Sequence, residues 1–145
     1  MGLLPAPSLR TRQWLNRAEL ALFEEQSRAD RRHAERVAAL LLARGHSDPL
    51  LLRAALLHDL GKAGRGVTLS SRVLWVLAGR ASPRLRATLA RRGGAWAALA
   101  DHAAVGASRL RAAGVDPRVV ALVAEHPLPG DEHRARLLAE ADDAV

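Results

Sequence analysis

The chain turns on one short passage, in which the strongly apolar run Ala54-Ala55-Leu56-Leu57 ends on His58-Asp59-Leu60-Gly61-Lys62. A helix that is apolar almost all round belongs inside a bundle, so other helices must surround it. The imidazole and carboxylate at its end therefore lie deep, where polar groups need partners. Gly61 supplies permissive backbone for ending the helix there. Neighbouring helical positions diverge by about 100°. His58 and Asp59 can thus serve one point only at a frayed end, or else serve two points.

The rest of the chain reads as helix as well. No alternating strand pattern of useful length occurs, and no internal repeat is visible. After a loose start to about Leu9, a first helix is predicted over Thr11–Gln26, with Trp14, Leu15, Ala18, Leu22 and Phe23 at helical spacing. Its apolar face either covers the core or meets a partner, and cover is the commoner role. Ser27 or Asp30 offers the N-cap of a second helix to Arg44, which Gly45 stops. Its inward stripe is Val37, Leu40 and Leu41, and His33 lies one turn before Val37 on the same side. Ser47 or Asp48 caps a third helix, which opens on Pro49 and continues to about Leu60. Beyond a glycine-rich loop, Ser70 starts a short helix ending near Gly79, and Ser82-Pro83 opens another ending at Gly93-Gly94. Further helices are predicted over Trp96–Ala113, from Asp116-Pro117 through Glu125, and from about Glu132 toward Asp143. At 145 residues with short loops, this pattern is an all-α, compact single-domain helical bundle.

No uncharged apolar run reaches the ~18–20 residues of a membrane span. The first seven residues are too short for a signal peptide, so a cytoplasmic location is the default expectation. Cysteine is absent, which excludes disulfides and thiolate metal sites; any metal must be held by nitrogen and oxygen. The net charge of +7 raises the question of nucleic acid. The arginines are scattered, however, aromatic residues make up 3%, and tyrosine is missing, which argues against a specific nucleic-acid binder. The charge still serves to steer anionic substrates.

His33, His102, His126 and Asp142 accompany the central pair in an order that suits a metal centre built on facing helices. Singly, each histidine would be read as an ordinary core or surface residue. Jointly with His58-Asp59 they make a donor set, whereas His46 and His133 sit in polar turns and need no such role.

With those motifs in place, the chain resembles the HD superfamily of metal-dependent phosphohydrolases. The stretch from Arg31 to Ala38 looks like its first-histidine helix, and Leu56-Leu57-His58-Asp59-Leu60-Gly61-Lys62 matches its central signature. His102-Ala103-Ala104-Val105-Gly106, Glu125-His126 and Ala141-Asp142-Asp143 are similar to its later motifs. The resemblance implies an HD domain over residues 28–145, preceded by an N-terminal segment and first helix, 1–27, that packs on the core. It implies the ligands His33, His58, Asp59, His102, His126 and Asp142, with Asp59 bridging two ions and Asp143 the alternative at the last position. It assigns Asp59 and Lys62 to catalysis, Lys62 facing the substrate phosphate; independently of the resemblance, Arg65 on the glycine-rich loop offers a second cation, although plain solvent exposure is the commoner role for such a residue. The cofactor would be one or two divalent ions among Mn, Fe, Co, Ni, Zn and Mg. The activity implied is hydrolysis of a phosphate ester of a small molecule, a nucleotide first, by metal-activated water. A catalytically weak nucleotide-binding or signalling module is the alternative, and a di-iron oxygenase ranks last. Pro127-Leu128-Pro129-Gly130 stands where cyclic-di-GMP phosphodiesterases carry a glycine-tyrosine-proline extension, which speaks against that specialised activity. Loops 63–69 and 127–131 are expected to wall the pocket.

Overall fold

The computed structural model describes residues 9–145; the expected loose start over the first eight residues lies outside them. Among the described residues there are nine α-helices, one 3₁₀ turn and no strand. They are α1 (Leu9–Trp14), α2 (Arg17–Glu25), α3 (Arg28–Ala43), α4 (Pro49–Leu57), α5 (Leu69–Ala81), α6 (Pro83–Arg91), α7 (Gly94–Ala112), α8 (Pro117–Glu125) and α9 (His133–Ala144). The 3₁₀ turn, Leu60–Lys62, follows α4. The all-α class expected from the pattern holds.

Helix α4 is the hub, with α1, α2, α3, α8 and α9 packed around it. Leu51, Leu52, Ala54, Ala55, Leu56 and Leu57 are all buried, so α4 has no solvent face beyond its first turn and Arg53. Each buried leucine contributes about 1.5–3 kcal/mol, which makes this helix the main source of cohesion. Asp48 accepts a hydrogen bond from the Leu50 N–H, and Pro49 takes the first helical position. The helix ends at Leu57, three residues earlier than predicted, and the chain tightens into the 3₁₀ turn.

The predicted helix over Thr11–Gln26 is two helices. Asn16 interrupts it, accepting from the Glu19 N–H while its own N–H donates to the Glu19 carboxylate. This reciprocal capping box restarts the chain as α2. The fully buried Glu19 side chain also pairs with Arg53 of α4, which fastens α2 to the hub. Phe23 is buried and Trp14 packs against the same core, so the described part of this segment covers the bundle. Thr68, rather than Ser70, caps α5, exchanging hydrogen bonds with Ser71. Ser27, Asp116 and Glu132 cap α3, α8 and α9 with their side chains.

Gly61 departs from its expected role. It does not adopt positive φ. A Cβ there would lie 1.9 Å from the His102 carbonyl oxygen and 2.8 Å from the Gly106 nitrogen. The 3₁₀ turn therefore rests directly on the backbone of α7, and glycine is needed for that approach.

Candidate metal centre

Five α-helices and the 3₁₀ turn carry the six expected residues to one place. His33 projects from α3, His102 from α7 and Asp142 from α9, while His126 is the C-cap of α8. His58 is the C-cap of α4 and Asp59 the N-cap of the 3₁₀ turn. That change of helix type sits at the frayed end the two adjacent donors require. Ring centroids are 5.6 Å apart for His33 and His58, 4.9 Å for His58 and His126, and 5.4 Å for His102 and His126.

His33 Nε2 lies 2.6 Å from Asp142 Oδ1, and His58 Nε2 lies 3.3 Å from the same oxygen and 3.6 Å from Asp59 Oδ2. His102 Nε2 approaches Asp59 Oδ1 to 3.5 Å, and Lys62 Nζ reaches that oxygen at 2.8 Å. Three ligand groups could each hold an ion: His33, His58 and Asp59; His58, His126 and Asp142; and Asp59, His102 and His126. Each group shares members with the others, so the donors form one continuous cluster.

Three imidazoles are oriented by the same local device. Nδ1 of His58, His126 and His102 lies 2.7, 2.7 and 3.1 Å from the carbonyl oxygen three residues earlier, on Ala55, Val123 and Leu99. When Nδ1–H donates to a carbonyl, Nε2 is left to face the cluster.

Burial and charge compete over these groups. Burial disfavours the charged imidazolium of His58, but the carboxylates of Asp59 and Asp142 outweigh it and raise its pKa to about 9. Burial alone would raise Asp59 and Asp142, yet neighbouring cations hold both well below the usual carboxylate range. His126 is pushed down to about 4, first by burial and then by the charge on His58. Burial likewise lowers His102.

The donor chemistry fits a divalent cation. His58 Nε2 is buried and, although close to two carboxylates, is not aligned for a hydrogen bond to any described residue. A buried polar nitrogen without a partner is costly, and a cation would supply the missing partner. Imidazole nitrogen with carboxylate oxygen suits first-row transition metals.

The HD domain family model matches residues 31–144. The chain belongs to the HD domain family. No curated protein and no solved structure gave a match. HD domains form a superfamily of metal-dependent phosphohydrolases that bind divalent ions, and the cluster described above lies within the matched residues.

The HD cluster opens on a cavity of about 570 Å³, lined by Asp59, Lys62, Trp75, His102, His126 and Asp142 among others. Its wall differs from the expected one. Pro127 and Pro129 line it as expected, whereas residues 63–68 do not; Trp75 of α5 and Arg136, Ala139 and Glu140 of α9 take that place. Arg65 turns elsewhere, pairing with Asp101 at 2.5 Å and donating to the Gly61 carbonyl. Asp142 contacts two histidines; Asp143 is exposed at the cavity rim. His46 and His133 line a separate cleft and belong to none of the three ligand groups.

Trp75 and Arg136 are the residues that sequence reasoning missed. The guanidinium of Arg86 stacks 4.8 Å from the Trp75 ring centroid and donates to the Trp75 carbonyl. Gly79 makes room for it, since a Cβ there would meet the Arg86 guanidinium at 2.1 Å. The one aromatic residue on α5 was the available signal.

Proposed function

We propose that this HD domain hydrolyses the phosphate ester of a small molecule, and that nucleotides are its substrate class. His33, His58, Asp59, His102, His126 and Asp142 would hold one or two divalent ions, with Asp59 shared between them. The observation that carries this reading is the overlap of the three ligand groups, in which Asp59, His58 and His126 each belong to two. Such ions supply Lewis acidity toward phosphoryl oxygens and lower the pKa of water toward neutrality.

The chain's own residues do the remaining work. Lys62, held at 2.8 Å by Asp59, lines the cavity, where its ammonium would offset charge on a phosphoryl group. Its tie to Asp59 also keeps it within reach of whatever that carboxylate binds. Trp75 offers a flat apolar wall to a nucleobase, and Arg136 adds a second cation to the rim. Residues 28–145 constitute the HD domain in this reading and residues 1–27 a covering segment, a division supported by the start of the family match and the burial of Phe23.

Metal analysis of the purified protein beside a nucleotide hydrolysis panel tests the proposal. Native protein should carry transition metal, and His58→Ala and Asp59→Ala should each lose metal and phosphatase activity together. Full activity in a chelated, metal-free sample would overturn it. So would tight nucleotide binding without any product, or oxygen consumption by an iron-loaded sample without phosphate release.

A further inference from the structure

Helices α5 and α6 form a hairpin that, among the described elements, packs mainly on α7. Val73, Leu74, Val76, Leu77 and Leu85 are 46–54% exposed, and among the other described large aliphatic residues only Leu128 and Val145 are exposed. Val73, Val76, Leu77 and Arg80 fall at i, i+3, i+4 and i+7, so they share one stripe of α5. Trp75 is turned away from that stripe into the site cavity. The same helix thus presents one face to the cavity and the other to the outside.

Charge decides what suits that outer face. From Leu69 to Gly93 the chain contains Arg72, Arg80, Arg84, Arg86, Arg91 and Arg92 and no aspartate or glutamate. Arg72 pairs with Asp30 of α3, and Arg86 is held by Trp75. Arg80, Arg84, Arg91 and Arg92 are exposed and form no ion pair among the described residues. A second copy docking through this face would set arginine against arginine. Nucleic acid would find cations here but no exposed aromatic ring to stack on. A surface that joins phosphate charge to apolar depth satisfies both the arginines and the aliphatic stripe.

We propose that the α5–α6 hairpin docks on an anionic lipid bilayer, with Val73, Val76 and Leu77 entering the headgroup–acyl boundary and Arg80 and Arg84 meeting lipid phosphates. No described helix is long and apolar enough to cross a membrane, so the hairpin lies on the surface. The stripe provides apolar insertion, while the arginines provide selectivity for acidic leaflets.

Flotation of the full chain with phosphatidylcholine vesicles, with and without phosphatidylglycerol, tests this. The protein should float only with phosphatidylglycerol, and added salt should weaken it. Replacing Arg80→Gln or Arg84→Gln should lower partitioning about fivefold each. Leu77→Glu should abolish flotation while leaving the thermal melt and metal content unchanged, because that side chain already faces water. Absence of binding to anionic vesicles, or undiminished binding by Leu77→Glu, would overturn the proposal. Two other results would also do so: sedimentation as a dimer that Leu77→Glu dissociates, or an oligonucleotide complex that competes with lipid and tolerates Leu77→Glu.

Discussion

Replacing Gly61→Ala tests the link between backbone packing and the metal centre. The added methyl would sit 1.9 Å from the His102 carbonyl oxygen, where even a tight contact needs about 3.0 Å. Opening that gap requires the 3₁₀ turn and α7 to separate by about 1 Å. The obstacle is backbone on both sides, so no side chain can swing clear. Overpacking of this kind costs about 3 kcal/mol, which for a domain of this size lowers Tm by roughly 10 °C. The same movement draws His102 Nε2 away from Asp59, now 3.5 Å distant. Weakened positioning of ligands typically lowers metal affinity about 10–100-fold. Thermal melts followed by calorimetric titration with Mn²⁺ read both effects. Gly64→Ala is the control: Gly64 sits at φ +71 with nothing within 4 Å of its missing Cβ, so it should cost about 1 kcal/mol of backbone strain without changing metal affinity. A Gly61→Ala protein that melts and binds Mn²⁺ like the parent would refute the claim that this contact sets the site.

Three further outcomes follow from the geometry. Before metal binds, His58 has a pKa near 9, so below that pH a cation must displace its proton; apparent affinity should fall about tenfold per pH unit on acidification through neutrality. Calorimetry in buffers of different ionisation enthalpy would detect the released proton, and affinity flat between about pH 6 and 8 would contradict the assignment. Glu19→Ala removes the carboxylate that accepts from the Asn16 N–H and leaves Arg53 without its buried partner, so urea unfolding should report a loss of about 3 kcal/mol with metal content unaffected. Trp75→Ala should raise KM roughly tenfold for nucleoside monophosphates if the ring stacks on a base, and leave KM for glycerol phosphate unchanged. An equal rise for both substrates would remove Trp75 from base recognition.

The helices and the buried hub were legible because they follow from period, caps and residue chemistry, and the six donors because their order resembles the HD motifs. The break at Asn16 was legible too, as Asn-x-x-Glu, but the continuous apolar spacing through Trp14, Leu15, Ala18 and Leu22 masked it. Competition between a local cap and helical periodicity was settled by Glu19, whose second task is to hold Arg53 across the bundle. The reason for Gly61 was out of reach, because a close approach depends on a helix forty residues downstream and leaves no mark on its neighbours. The cavity wall was legible only in part: Pro127 and Pro129 of the expected loop 127–131 line it, but in place of the loop just after the signature α5 and α9 reach the rim through tertiary packing.

Orientation of His58, His102 and His126 depends on main-chain oxygens one helical turn back. In many metal proteins that duty falls to a second ring of carboxylates, each of which a single base change can delete. Here the supporting acceptors are atoms that every amino acid possesses. Mutation can remove one of these rings or bend the helix beneath it, but no side-chain replacement at Ala55, Leu99 or Val123 can take the acceptor away. The steering of these three ligands is therefore inherited with the helices themselves, and drift at those supporting positions should be tolerated wherever helix and packing survive.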